Sequence, residues 1–376
     1  MLRIFLALSL LFPLHNLLSQ QFKDHVIDDG VSIGYGLAIG DVDGDGLDDI
    51  ILADKRAFVW YQNPSWDKHV IIENLTERDN VCLAARDIDN DGKVEIAVGA
   101  QWNPGETSDP AKSGSVHILE APADPREKWT AHPLPHEPTV HRMHWVRTSN
   151  GYQLVVLPLH GRDNVQAMGK GVRIYGYAYP GQIEGVWDQH LLDSSMHLTH
   201  NFDILPGSLG DTLLIGGKEG TRVLTHINGA WKHLSMHPYV ISSTEGFGEI
   251  RKGAGFIAGI QPFHGNSLNV YLNSSSINIL NDLAQGHALA CGDLLHEGND
   301  QIIVGWRELN EQNEMGVKLI KSMGGDWNNT ESIWIDKNQM ACEDLKISDL
   351  NNDGFIDIIA AGRSTNNLKI YWNQGQ

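Results

Sequence analysis

The sequence predicts an all-β fold, a seven-bladed β-propeller closed by an N-terminal strand that joins the last blade. Three observations carry this expectation: an acidic hairpin that recurs, an even spacing of such hairpins along the chain, and two chain ends that each lack what the other supplies. The hairpin stands as AIGDVDGDGLDDIILAD (38–54), AARDIDNDGKVEIAVGA (84–100) and KISDLNNDGFIDIIAAG (346–362), with a poorer copy, ACGDLLHEGNDQIIVGW (290–306). Each reads as apolar strand, acidic turn, apolar strand.

Weaker hairpins fill the gap between the second and fourth copies: TSNGYQLVVLP after Arg147, GSLGDTLLIGG after Pro206 and KGAGFIAGIQP after Arg251. With Asp41, Asp87, Asp293 and Asp349 these make seven anchors, spaced on average by about 51 residues, within the range of propeller blades. An outer-strand pattern follows the hairpins: WDKHVI (66–71), WTAHPL (129–134), WDQHLL (187–192) and WKHL (231–234). FKDHVI (22–27) repeats it with no hairpin before it, and the C-terminal LKIYWNQ ends a hairpin with no outer strand after it. Joining the two ends completes a sheet and removes exposed edges; an open solenoid or two sandwiches would leave both ends unexplained.

Residues 1–20, MLRIFLALSLLFPLHNLLSQ, carry a single charge, Arg3, ahead of an apolar run broken by Pro13, His15 and Asn16. This reads as a secretory signal rather than a membrane span. The expected organisation is a signal peptide over 1–20 and one propeller domain over 21–376, in a secreted or periplasmic protein with no membrane span. The formal charge is −19, and −20 without Arg3, which argues against a partner that is nucleic acid. Cys82, Cys291 and Cys342 are odd in number and form no CxxC pair, so they read as buried free thiols.

The acidic turns place oxygen ligands at alternate positions around a glycine-containing loop. Asp41, Asp43, Asp45 and Asp49 occupy positions 1, 3, 5 and 9, as do Asp87, Asp89, Asp91 and Glu95, and Asp349, Asn351, Asp353 and Asp357. That pattern suits a hard cation, so structural Ca²⁺ is expected in these three turns. The fourth copy has Leu295 and Gln301 at positions 3 and 9, and no ion is expected there.

Counting back six residues from each anchor reaches the start of the innermost strand, beside the central channel. The residues there are Tyr35, Val81, His141, His200, Glu245, His287 and Glu343. His141, His200 and His287, with Glu343 or Glu245, are the expected ligands of a Zn²⁺- or Mn²⁺-type metal in the funnel. Tyr35, His144, His160 and Glu245 are the acid–base candidates. Past the second strand of each hairpin come Arg56, Trp102, His160, Arg162, Lys218, His264, Arg307 and Arg363. Of these, Arg56, Trp102, Arg162, Lys218, His264, Arg307 and Arg363 form an expected substrate-binding ring on the face opposite the acidic turns.

The repeats resemble the FG-GAP/VCBS family of calcium-binding propeller repeats over nearly the whole chain after residue 20. HRMHWV (141–146), LPLHGRDN (157–164), EGFGE (245–249), PFHGN (262–266), GHALACGD (286–293), MACEDL (340–345) and AGRSTNN (361–367) also resemble the propeller domain of the aldos-2-ulose dehydratase family. The resemblance implies elimination of water from keto-sugars such as 1,5-anhydrofructose with a divalent metal in the propeller. Cupin domains that isomerise the product in the fungal enzyme find no counterpart in this length. The expected function is therefore a carbon–oxygen lyase acting on a keto-sugar or oxidised glycoside, with carbohydrate as the partner. A calcium-stabilised propeller that binds glycans or proteins without catalysis is the alternative, and a metal-dependent glycoside hydrolase is a third reading.

Overall fold

The computed structural model describes residues 22–273 and 275–375, which form seven four-stranded antiparallel sheets, the blades of a propeller. The expected signal segment lies outside the described residues. Blades 1 to 6 begin with innermost strands Gly36–Gly40, Cys82–Arg86, Val140–Thr148, Thr199–Leu205, Glu249–Gly253 and Gly286–Gly292. Blade 7 holds Cys342–Ser348, Asp357–Gly362 and Asn367–Asn373, with Phe22–Asp28 as its outermost strand. That pairing is antiparallel, from Phe22 opposite Asn373 to Asp28 opposite Leu368.

Second strands such as Asp49–Ala53, Phe256–Gln261 and Asp357–Gly362 are buried along their whole length. Each is covered by a neighbouring blade on both faces, which explains their unbroken apolar runs. Outermost strands such as Asp188–Asp193 are largely exposed and carry the polar residues. The core is accordingly divided into apolar clusters between successive blades. Ile51 and Phe58 of blade 1 share one with Leu83 and Ile96 of blade 2. Leu52 and Val59 of blade 1 share another with Ile359, Leu368 and Ile370 of blade 7. That cluster closes the ring.

Blades 6 and 7 are also joined by a buried ion pair. Lys369 Nζ lies 2.8 Å from Asp336 Oδ2, which also accepts the Tyr371 hydroxyl at 2.8 Å. The three cysteines are free; Cys82 and Cys342 are buried, Cys291 half-buried.

In the acidic turns, position 9 serves the backbone. Asp49, fully buried, accepts the amides of Val42 at 2.9 Å and Asn63 at 2.8 Å. Asp357 does the same for Leu350 and Asn373, and Gln301 for Leu295 in the fourth copy. An amide oxygen does this work as well as a carboxylate, so Asp49 and Asp357 are turn-locking residues, a correction to their expected ligand role. The convergent carboxylates are Asp41, Asp43 and Asp45 in blade 1, and Asp87, Asp89 and Glu95 in blade 2. Asp91 turns back to the amide of Lys93. In blade 7, Asp349 accepts the amides of Asp353 and Gly354, and Asn351 donates to Asp353. Burial and the facing acids push Glu95 and Asp49 up to about 7.

Candidate active site at the mouth of the channel

Four innermost strands carry a β-bulge at their second residue, and the bulged residues are His141, His200, His287 and Glu343. A bulge leaves one residue out of the ladder and re-aims its side chain. Each bulged histidine then reaches the backbone of the next blade. His141 Nδ1 meets the His200 carbonyl at 2.8 Å, His200 Nδ1 the Gly248 carbonyl at 2.8 Å, and His287 Nδ1 the Glu343 carbonyl at 2.5 Å. A carbonyl only accepts, so Nδ1 holds the proton in all three rings and Nε2 offers its lone pair.

Blade 5 departs from this pattern. The position equivalent to the bulged residues is Gly248, three residues after Glu245. The turn between Glu249–Gly253 and Phe256–Gln261 is shorter than the acidic turns, which displaces the register. Glu245 is exposed and lies outside the strand, so its expected roles as ligand and base are corrected. A Cβ on Gly248 would meet His264 N at 3.1 Å and Phe263 Cα at 3.2 Å. The missing side chain makes room for the loop that carries His264 over the channel. Gly265 closes that loop, since a Cβ there would fall 2.2 Å from the Gln261 backbone.

His264, expected in the substrate ring, thereby joins His200 and His287. One ring nitrogen from each lies within 4.8 Å of the others, and His200 Nε2 is 2.7 Å from His264 Nε2. Burial lowers the pKa of all three; for His264, with His200 and Arg307 adding to the effect, it falls to about 2. The rings are held neutral, the form that binds metal. Three neutral imidazoles converging on one point fit a Zn²⁺-type ion with an open position. Behind His200 sits Glu249, buried, its Oε1 3.3 Å from Nδ1 and its Oε2 taken by Asn201 at 2.5 Å and Arg251 at 3.3 Å.

The other two expected funnel ligands are placed otherwise. His141 flanks the triad, its ring 4.5 Å from that of His200 and 5.1 Å from Trp102. Burial, then Arg142, holds its pKa well below the usual histidine range. Glu343 is clamped between Arg307 Nη1 at 2.7 Å and Arg363 Nη1 at 2.8 Å, and is 4.0 Å from His287 Nε2. Its charge is spent on the arginines, which removes it from the ligand set.

His141, His264, His287, Arg307, Glu343 and Arg363 line a cavity of about 270 Å³, with Tyr35 and Trp102 forming its wall toward blades 1 and 2; His200 is buried and does not line it. The Tyr35 hydroxyl donates to Asp79 Oδ2 at 3.0 Å, and the Arg363 guanidinium lies over its ring. Burial and Asp79 raise the Tyr35 pKa, keeping the phenol protonated.

The remaining candidates lie elsewhere. His144 is further down the channel, in a second pocket of about 340 Å³ with Phe202, Arg251 and Lys346. His160 holds Thr139 and Leu198 through its backbone. Arg56 donates to the carbonyls of Thr76 and Arg78. Arg162 pairs with Glu137 at 2.9 Å, and exposed Lys218 contacts the Ala167 carbonyl. Cations at strand ends satisfy nearby loop oxygens, so these three stand outside the cavity. Sequence reasoning passed over Arg142, Glu249 and Asp79. The GFGE run ending at Glu249 was the visible signal for one of them, hidden by the register shift.

Residues 34–98 match the FG-GAP-like repeat, and residues 113–274 match the β-propeller domain of aldos-2-ulose dehydratase. The aldos-2-ulose dehydratase of Phanerodontia chrysosporium is 24% identical over 311 residues, covering 72% of this chain and 34% of that protein. The chain thus spans about a third of the length of this curated relative. Among solved structures, a chain of the mitotic checkpoint complex superimposes with a TM-score of 0.57 at 12% identity, over 100% of this chain and 99% of that one. The exotype rhamnogalacturonan lyase YesX does so with a TM-score of 0.52 at 12% identity, over 91% and 72%. At such identities these two likenesses concern the fold alone. The chain is a seven-bladed β-propeller that resembles FG-GAP-like repeats and, through blades 3 and 4 and the flanking strands, the propeller domain of aldos-2-ulose dehydratase.

Proposed function

We propose that this protein is an exported, metal-dependent carbon–oxygen lyase acting on a keto-sugar or oxidised glycoside at the channel mouth. The observation that carries the reading is the convergence of neutral His200, His264 and His287 beside His141, with His141, His264 and His287 lining one cavity. The likeness to aldos-2-ulose dehydratase supports the class of substrate. A Zn²⁺-type ion held by the three imidazoles would supply Lewis-acid polarisation of the sugar carbonyl, which acidifies the adjacent C–H.

His141 is the base. Its Nδ1 is fixed by the His200 carbonyl, so Nε2 takes the proton from the carbon next to the carbonyl. The C–H electrons form the carbon–carbon double bond, the β C–O bond breaks, and the imidazolium returns the proton to the leaving oxygen. Arg307 and Arg363 face the oxygen on which negative charge develops. The Tyr35 hydroxyl, its proton given to Asp79, accepts a hydrogen bond from a substrate hydroxyl, with Trp102 covering the ring's apolar face. The product is a conjugated enone, which absorbs in the ultraviolet, whereas hydrolysis yields none. Incubation with 1,5-anhydrofructose or a keto-glycoside is expected to raise ultraviolet absorbance in a metal-dependent way. Turnover without an enone would replace elimination by hydrolysis; tight glycan binding without turnover would leave a binding propeller.

Structural Ca²⁺ in the turns of blades 1 and 2 is part of the same proposal. The carboxylates of Asp41, Asp43 and Asp45, and of Asp87, Asp89 and Glu95, converge within 4.8 Å, and a cation would relieve their mutual repulsion. EDTA is expected to lower the melting temperature and excess Ca²⁺ to restore it by mass action. Melting unchanged by EDTA would mean bare turns.

A further inference from the structure

We propose that the ligand of the axial cavity is anionic, a sugar whose carboxylate pairs with Arg142. This rests on the proposed carbohydrate function and names the substrate class more narrowly. Three guanidinium groups line the cavity, those of Arg142, Arg307 and Arg363, against one carboxylate, Glu343. Glu343 is shared by Arg307 and Arg363. Arg142 has no carboxylate within ion-pair distance among the described residues. Its Nη1 donates to the His141 carbonyl at 2.9 Å and approaches His141 Nε2 at 3.4 Å, and both acceptors are uncharged.

The nearest acids along the channel already have partners. Glu249 is held by His200, Asn201 and Arg251. Asp344 accepts Lys346 at 2.9 Å and the amide of Leu37 at 2.8 Å. Arg142 is half-buried, and Asp344 and Glu249 act on it only from beyond ion-pair distance, so its fork is left for an anion in the cavity to meet. A divalent ion on three neutral histidines would add two further positive charges to the same space. Three guanidinium groups against one carboxylate already make the lining net positive inside a chain of net charge −19, which favours an anionic ligand. The cavity, about 270 Å³, falls below the roughly 300–1,000 Å³ of drug-sized sites, which suits one sugar ring. A planar carboxylate also matches the fork of a guanidinium.

Calorimetric titration of the full chain with D-glucuronate and its neutral isostere D-glucuronamide tests this, and needs no turnover. Ca²⁺ is kept in the buffer while phenanthroline removes transition metal, and the titration is repeated with Zn²⁺ restored. The expected result is glucuronate binding at least about tenfold tighter than the amide, roughly 1.4 kcal/mol, in both forms. Arg142→Gln should reduce that preference to less than about twofold and Arg142→Lys should keep part of it, with melting unchanged in both. Equal binding of the two sugars, or a preference retained in Arg142→Gln, overturns the proposal. So does a preference seen only with Zn²⁺, which would place the carboxylate on the metal. Absence of enone formation would sink the lyase reading and leave this result standing.

Discussion

Replacing His264 or His287 by alanine is expected to lower Zn²⁺ affinity by at least about a hundredfold and to abolish enone formation. Each supplies one of three imidazole nitrogens gathered within 4.8 Å, and a site with two remaining ligands loses both charge stabilisation and geometry. Zn²⁺ retained after dialysis, together with the ultraviolet assay, gives the two readouts. Glu249→Gln is the graded control. It leaves the three nitrogens in place and weakens the contact behind His200 together with the Arg251–Glu249 pair; about ten- to a hundredfold in metal affinity is the usual cost of losing such a supporting contact. Calcium-dependent melting should be the same in all three variants, since the turns lie at the other end of the blades. Full Zn²⁺ binding by the His264 variant would remove the loop histidine from the ligand set and with it the assignment of the site.

Deleting residues 22–28 is expected to destabilise the entire ring, lowering the thermal midpoint by about 5 °C or more in a single transition. The strand covers one edge of the last blade, pairing from Phe22 to Asp28. Without it, the strand Asn367–Asn373 becomes an open edge, and Phe22 no longer packs on the cluster between blades 6 and 7. Lys369 and Asp336 lie beneath that edge, and water admitted there weakens a pair that depends on burial. Loss of several kcal/mol moves the midpoint of a domain this size by roughly 1–2 °C per kcal/mol. Calorimetry that shows the parent midpoint, or an early transition confined to one blade, would separate ring stability from this strand.

The fold was legible because it is written in the chain seven times. Asp41, Asp87, Asp293 and Asp349 are four of seven anchors spaced on average by about 51 residues, and the outer strand at Phe22 completes the sheet of Asn367–Asn373. The site was legible where it follows the same arithmetic: His141, His200, His287 and Glu343 all fall on the bulged position. It was obscured where local geometry breaks the arithmetic. A short turn moved blade 5 by three residues, replacing Glu245 with Gly248. His264 reaches the axis from a connecting loop, whose path no strand register describes. Arg56, Arg162 and Lys218 sit at plausible strand ends, but neighbouring carbonyls and Glu137 claim them. Position 9 looked like a ligand in all three turns because locking a turn and binding a cation ask for the same residue type; Asp49 and Asp357 only lock the turn, whereas Glu95 both accepts the Ile88 amide and converges with Asp87 and Asp89.

Gly248 has a consequence for how a ligand lies in the cavity. A ring of seven similar blades offers seven equivalent rotational settings to anything on its axis. One side chain fewer in blade 5, and one loop histidine in its place, reduce these to a single setting. Imidazoles gather on the side of blades 4 to 6, while Tyr35 and Trp102 stand opposite. On the proposed function, a sugar ring entering between them would have an apolar side and a polar side to match. The molecule thus gains a compass bearing from a scaffold that by itself has none.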